Sequence, residues 1–167
     1  MGVIPDYLFR RATDIEPAFL RERGVEALIL DIDNTLAFDN HPDVPPEIDA
    51  WLRGMERAGL RLAIVSNNRE SRVKAFAAAC GNLAYVADAR KPSRAGFARS
   101  AETLGTTAEK IAVVGDQLFT DIAFGNRFGC TTILVERMGP DVPLFVRMKR
   151  VLEAPLMPYI KKRKRVK

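Results

Sequence analysis

The sequence predicts an α/β protein in three layers, a parallel sheet with helices packed on both of its faces. Short runs rich in aliphatic and β-branched residues alternate with helical patterns at an even pace between residues 26 and 135. Such alternation implies right-handed crossovers between parallel strands. The strand runs are almost continuously apolar, as expected where a sheet is covered on both sides. Glycine stands where four helices should stop, at Gly59, Gly81, Gly105 and Gly129, the position at which a chain most readily turns out of a right-handed helix.

In chain order, a short helix over Asp14 to Arg23 precedes a first strand, Ala27 to Ile32. Pro45-Pro46 opens a helix running to Ala58, and the second strand is Leu60 to Val65. A helix over Glu70 to Cys80 leads to a third strand, Leu83 to Val86. Ser93, after Pro92, can cap a helix that reaches Leu104. Ile111 to Val114 is the fourth strand, Thr120 to Phe128 a helix, and Thr131 to Val135 the fifth strand. The result is a five-stranded, Rossmann-like sheet. Beyond it, Leu144, Phe145, Met148, Val151 and Leu152 fall at i, i+1, i+4, i+7 and i+8, with Arg147, Lys149, Arg150 and Glu153 opposite. This is an amphipathic helix, and its apolar face is expected to dock on the sheet or on a neighbouring subunit. The closing run Lys161-Lys162-Arg163-Lys164-Arg165-Val166-Lys167 reads as a solvated end. The chain thus divides into a core over 1–143 and a helix with a basic tail over 144–167.

With 167 residues, 47% of them hydrophobic and 28% charged, the chain fits one globular domain with a sizeable core. Its apolar runs are too short for a membrane-spanning helix. The amino terminus lacks the apolar stretch and small-residue cleavage site of a secretory signal, so a cytoplasmic protein is expected. Cys80 and Cys130 lie outside any metal-binding or redox spacing and read as buried, reduced thiols. The net charge of +5 is uneven. From Arg137 onward ten Lys or Arg oppose two acids, a balance of +8, whereas residues 1–136 carry 16 basic and 19 acidic side chains, a balance of −3.

Ligands of open parallel sheets bind beyond the carboxyl ends of the strands, so the residues leaving each strand carry the chemistry. After the first strand come Asp31 and Asp33, one residue apart and on the same side if the strand continues. Two such carboxylates repel, and become favourable with a divalent cation between them or with one of them protonated; a solvated Asx turn is the bland alternative. Ser66-Asn67-Asn68 follow the second strand, Asp88 to Lys91-Pro92 the third, and Gly115-Asp116-Gln117 with Asp121 the fourth. Alone, Ser66 would be a helix cap, Lys91 a surface lysine, and Asp116 and Asp121 turn and cap residues. Converging on one edge, they match phosphate-ester hydrolysis: a nucleophilic carboxylate, a second carboxyl to protonate the leaving oxygen, a hard cation and an ammonium to neutralise charge, and a hydroxyl to hold an oxygen. Mg²⁺ is the natural ion for such oxygen ligands. His41 is the only histidine and there is no Cys/His cluster for zinc.

At this point the chain resembles the haloacid dehalogenase (HAD) superfamily of phosphatases. Asp31-Ile32-Asp33-Asn34-Thr35-Leu36, then Ser66, then Lys91-Pro92, then Gly115-Asp116-Gln117-Leu118-Phe119-Thr120-Asp121 match its four motifs in order. The fourth motif and Gly125-Asn126-Arg127-Phe128-Gly129 are most similar to the YqeG-like group of subfamily IIIA, related to phosphatidylglycerophosphate phosphatases, although Phe124 stands where that group has glycine. The resemblance implies that Asp31 is the nucleophile of an aspartyl-phosphate and Asp33 the general acid and then base. It implies that Ser66 and Lys91 bind the phosphoryl group, helped by the backbone amides of Asn34 and Asn67. Asp31, the Asp33 carbonyl and Asp116 would hold Mg²⁺, with Asp121 orienting a metal-bound water.

HAD enzymes acting on small metabolites often carry a cap inserted after the aspartate pair or between the second and third motifs. Here Thr35 to Leu60 holds a loop and one helix, and Asn67 to Lys91 one helix and one strand. The core is therefore capless. An open site suits a large substrate or a lid from another subunit of a homo-oligomer. The leading expectation is a Mg²⁺-dependent phosphomonoesterase acting on a phosphorylated substrate. An anionic phospholipid, phosphatidylglycerophosphate, is the favoured substrate, reached by peripheral membrane contact through the basic tail. A soluble metabolite is the alternative. Nucleic-acid ends are disfavoured because no aromatic residues interleave the basic run. A non-catalytic HAD-fold binding module is opposed by the intact aspartate pair.

Overall fold

The computed structural model describes residues 2–140 and 144–166. Among these residues six strands, β1 (Tyr7–Phe9), β2 (Ala27–Leu30), β3 (Arg61–Val65), β4 (Ala84–Val86), β5 (Ile111–Gly115) and β6 (Thr131–Val135), form one sheet in the order β1-β6-β5-β2-β3-β4. Every pairing is parallel. The helices between them are α1 (Pro17–Arg21), α2 (Pro46–Arg57), α3 (Glu70–Ala79), α4 (Arg94–Leu104) and α5 (Ala123–Phe128). After β6 come α6 (Leu144–Glu153) and α7 (Met157–Arg163).

The period of two along the strands sorts the core into two layers. Leu28, Leu30, Leu62, Ile64, Ala112 and Val114 share one layer with Leu20 of α1, Leu52 and Met55 of α2, and Val73 and Phe76 of α3. Ala27, Ile29, Ala63, Val65, Ile111 and Val113 face the other way, onto α4 and α5. There Phe124 is fully buried and meets Phe97 and Phe128 edge-on at ring-centroid distances of 5.6 and 5.8 Å. Its side chain fills the core behind the sheet rather than the strand ends, so the departure from the resembled motif touches none of the residues that leave the strands. Ser93 caps α4 as expected, its Oγ accepting from the Gly96 amide at 3.0 Å. Gly105 closes the same helix in the left-handed region, at φ 59°, where a Cβ is strained.

The sheet has six strands rather than five. The extra one, β1, is three residues between Asp6 and Arg10, too short to show a period. The basic end also differs from a solvated tail. Ile160 of α7 is fully buried against Leu8, Leu118, Ile122 and Leu134. Leu8 donates its amide to Lys164 O at 2.7 Å and accepts at its carbonyl from the Val166 amide at 2.9 Å. The tail thereby covers the outer edge of β1, which would otherwise present unpaired backbone groups. The apolar stripe of α6 does not dock on the sheet. Leu144, Phe145, Met148, Val151 and Leu152 are 63–72% exposed while Glu153 is buried, because the polar side of the helix meets the core.

Docking of the tail is tested by Ile160→Ala, expected to cost about 2–5 kcal/mol. Tyr159→Ala, at the exposed neighbouring position, is expected to change stability by no more than about 0.5 kcal/mol. Equal, small effects in denaturant unfolding would contradict the packing.

Candidate active site

β2 stops at Leu30, two residues earlier than the apolar run suggested, so the strand pleat does not align Asp31 with Asp33. The Asp31 amide still follows the ladder, donating to Val114 O at 3.1 Å. The chain then turns sharply: the Ile32 carbonyl accepts from the amides of Thr35, Leu36 and Ala37 at 3.2, 2.9 and 3.1 Å, and Asn34 takes φ 58°. Asp31 is left facing inward at the floor of a cleft, and Asp33 stands at its mouth.

Lys91 reaches the floor from the opposite side. The loop after β4 is pinned by the Asp88 amide on Asn68 O and the Ala89 amide on Ser66 O, both 3.0 Å, and passes through φ 45° at Asp88 and 51° at Arg90. Asn67 Oδ1 accepts from the Lys91 amide at 2.6 Å. So held, the Lys91 Nζ donates to Asp31 Oδ1 at 2.7 Å and to Asp121 Oδ1 at 2.6 Å, with only 2% of the side chain exposed. Burial alone would pull the ammonium towards neutrality; Asp121 and Asp31 outweigh it, so Lys91 titrates above its ordinary value.

Asp121 lies in a π-helical turn, Leu118–Ile122, between β5 and α5, a widened geometry frequent at functional sites. Gly115 makes room for it: a Cβ at Gly115 would collide with the Asp121 carboxylate. The second oxygen of Asp121 accepts from the Gln117 amide at 3.2 Å. Asp116 is anchored from outside the motif. Arg150 of α6 pairs with Asp116 Oδ2 and donates to its backbone carbonyl at 2.6 Å. Glu153 receives Arg150 at 2.9 Å and accepts from the Leu118 amide at 2.8 Å. Arg150 and Glu153 are one turn apart on α6, and together they fasten that helix to the end of β5.

The carboxylates of Asp31, Asp116 and Asp121 lie with one oxygen each inside 4.8 Å of the others. Burial is the main reason the Asp31 carboxyl is raised from 3.8 to about 7, against the pull of Lys91, and burial raises Asp116 well above its ordinary value despite Arg150. Asp116 Oδ1 is buried without a hydrogen-bond partner. Three acids against two cations leave net negative charge, and one buried oxygen lacks a donor. A divalent cation of hard, oxygen-seeking character fits both facts; Asp31 and Asp116 are the carboxylates that could hold it, since Asp121 is committed to Lys91 and the turn.

The cleft holds about 470 Å³ and is lined by Asp31, Asp33, Asn34, Ser66, Asn67, Lys91 and Asp121, together with Phe145, Val146 and Lys149 of α6. Ser66 Oγ accepts from the Asn68 amide at 3.2 Å, which leaves its own proton to donate. Asn67 spends its side chain on Lys91. The Asn34 amide donates to Ala37 O at 2.7 Å and its Oδ1 accepts from the Gly139 amide at 3.0 Å, so the backbone group that the resemblance assigns to phosphate is engaged within its own turn. Asp33 accepts from Arg72 Nη2 at 2.5 Å, Asn68 Nδ2 at 2.6 Å and the Asn40 amide at 3.0 Å. Arg72, Arg150 and Glu153 join the site without a motif to mark them in the sequence. Each belongs to a helix surface where one more charged residue gives no local signal.

Two family descriptions match the chain: the HAD-hydrolase-like family over residues 88–139 and mitochondrial PGP phosphatase over residues 2–80. The Bacillus subtilis protein named "Probable phosphatase YqeG" is 35% identical over 160 residues, covering 96% of this chain and 92% of that one. The chain belongs to the YqeG-like phosphatases of the HAD superfamily. It is also 31% identical over 166 residues to an Arabidopsis thaliana protein named phosphatidylglycerophosphate phosphatase 1, covering 93% of this chain and 47% of that one, so the chain spans about half the length of that relative. A cobalt-bound deoxy-D-mannose-octulosonate 8-phosphate phosphatase from Haemophilus influenzae superposes with a TM-score of 0.52 at 18% identity, over 76% of this chain and 75% of that chain. That likeness is one of fold.

A carboxyl raised in the folded state binds its proton more tightly there than in the unfolded chain. Its contribution therefore favours folding at low pH and is lost as pH climbs between about 4 and about 7. Without divalent cations, the thermal midpoint is expected to fall across that window, less so in Asp31→Asn, and an added divalent cation should restore more stability above the window than below it. Identical pH profiles for the two proteins would contradict this electrostatic assignment.

Proposed function

We propose that the chain is a Mg²⁺-dependent phosphomonoester hydrolase that works through an aspartyl-phosphate on Asp31. One observation carries the reading: Asp31 sits at the buried floor of the cleft, on the Lys91 ammonium and clustered with Asp116, one oxygen of which is buried without a partner. In this reading an Asp31 oxygen bonds to phosphorus as the ester P–O bond breaks, and Asp33 gives its proton to the leaving oxygen. Asp33 then takes a proton from water as the water oxygen bonds to phosphorus, and the bond to Asp31 breaks, releasing orthophosphate. Asp33 has to exchange Arg72, Asn68 and Asn40 for the substrate to do so. Ser66, Lys91 and the Asn67 amide hold the phosphoryl oxygens, and Asp121 keeps Lys91 in place. Asp31, Asp116 and the Asp33 carbonyl are the residues that would hold Mg²⁺, which when bound would neutralise charge on the transferring phosphoryl group. Magnesium is favoured because the donors are all oxygen, and because Cys80 and Cys130 are buried thiols pushed up to about 12.

The proposed substrate is an anionic phospholipid, phosphatidylglycerophosphate. It is supported by the name of the Arabidopsis relative, by the matching family over residues 2–80 and by the basic character of residues 144–167. Residues 1–143 would carry the chemistry and 144–167 would meet the lipid, with Arg150 reaching back to Asp116.

Hydrolysis of an aryl phosphate is expected to require Mg²⁺ and to fall by about a thousandfold or more in Asp31→Asn. Activity that survives chelation, or an Asp31→Asn protein within tenfold of wild type, would overturn the mechanism. For the substrate, phosphatidylglycerophosphate is expected to be turned over faster than soluble sugar or nucleotide monophosphates; the reverse order would favour a soluble metabolite.

A further inference from the structure

α6 is turned inside out relative to a helix on a soluble core. Its charged Arg150 and Glu153 turn inward against the end of β5, Glu153 buried and Arg150 partly so, and its apolar stripe of Leu144, Phe145, Met148, Val151 and Leu152 faces out. Among the described residues, every other large hydrophobic side chain that stands half or more exposed is close by in the chain or the cleft: Tyr159 on α7, and Phe38 in the loop that borders the site. The reversal has a cause. The two inward charges are bonded to Asp116 and to the Leu118 amide, so the helix cannot roll its apolar face inward without leaving a charge on Asp116 and a buried amide uncompensated.

We propose that the outward face of α6 is a membrane-docking surface that seats the mouth of the cleft on an anionic lipid bilayer. Charge decides between a bilayer and a second copy of the chain. Residues 144–166 carry eight Lys or Arg and one acid, the buried Glu153; with Arg150 turned inward on Asp116 and Lys161 and Arg165 against Glu136, Arg147, Lys149, Lys162, Arg163 and Lys164 remain to face a partner. Two copies packed stripe to stripe would bring these cations together across a two-fold axis, whereas anionic headgroups complement them. Length decides how the helix lies. Its ten residues extend about 15 Å, and no helix among the described residues is long and apolar enough to cross a membrane. It lies along the surface, apolar side down, as interfacial helices do. Because Phe145, Val146 and Lys149 also line the cleft, the same contact brings the site to the headgroup layer. The docking surface stands on exposure and charge; only its bearing on substrate delivery rests on the phosphatase reading.

The test uses the full chain with vesicles of phosphatidylcholine alone or mixed with phosphatidylglycerol, followed by flotation. The protein is expected to float with the mixed vesicles and to be released by salt. Met148→Asn/Val151→Asn/Leu152→Asn, changed at exposed positions outside the cleft, should bind at least about tenfold more weakly while hydrolysing aryl phosphate in solution at the wild-type rate. Met148→Trp should shift its emission to the blue on the mixed vesicles, against a wild-type background from Trp51 alone. Three results would overturn the proposal: wild-type protein that ignores the mixed vesicles, a triple variant that binds them as well as wild type, or a wild-type dimer in sedimentation that the triple variant dissolves. Aryl phosphate hydrolysis without vesicle binding sinks the docking surface and leaves the phosphatase; vesicle binding with no phosphomonoester turned over supports the surface and sinks the phosphatase.

Discussion

An ammonium buried to 2% exposure would be untenable on its own, and Lys91 survives only because Asp31 and Asp121 each hold it within 2.7 Å. The dependence runs both ways, since the two acids would repel without the lysine between them. Much of the surrounding chain exists to keep these three groups in register. Asn67 clamps the Lys91 backbone, and left-handed residues aim the loop inward. Gly96 lets α4 approach where a Cβ would strike Ala89 O, and Gly115 clears space for Asp121. Breaking one partner of such a buried set costs far more than the intact set contributes to stability. The arrangement is therefore better understood as specifying a geometry than as stabilising a fold.

Arg150 extends this electrostatic centre to the protein's outer surface. It satisfies one oxygen of Asp116 and leaves the other buried without a partner, so the same pairing that anchors α6 also holds a carboxylate in the cluster with Asp31 and Asp121. The helix is tied to the chemistry on one side and exposes its stripe on the other. A capless core acquires a wall for its cleft from α6, whose Phe145, Val146 and Lys149 line it.

What could be read without coordinates followed from strong local rules. Continuous apolar runs with glycine stops gave five strands and their helices, and parallel-sheet geometry sent Asp31, Asp33, Ser66, Lys91, Asp116 and Asp121 to one edge. β1 escaped because three residues carry no period, and its pairing with β6 is a contact more than a hundred residues away in sequence. α7 escaped because its lysines and arginines mask Ile160, the one fully buried side chain of that helix. Of the two expectations for the apolar stripe of α6, docking on the sheet fails for a physical reason: such a stripe normally faces the core, and the demands of Asp116 and Leu118 reverse it. Arg72 on Asp33 was invisible because pairing across 39 residues depends on the turn that carries Asp33 outward.

The role of Asp31 can be observed directly. A single turnover with a phosphomonoester, quenched and reduced with borohydride, converts a phosphorylated aspartate into a mass-shifted residue that peptide sequencing by mass spectrometry can locate. The modification is expected at Asp31, and to be absent from Asp31→Asn. Wild-type phosphate release with Asp31 unmodified, or with the label on Asp33, would contradict the assignment of the buried carboxylate as the nucleophile.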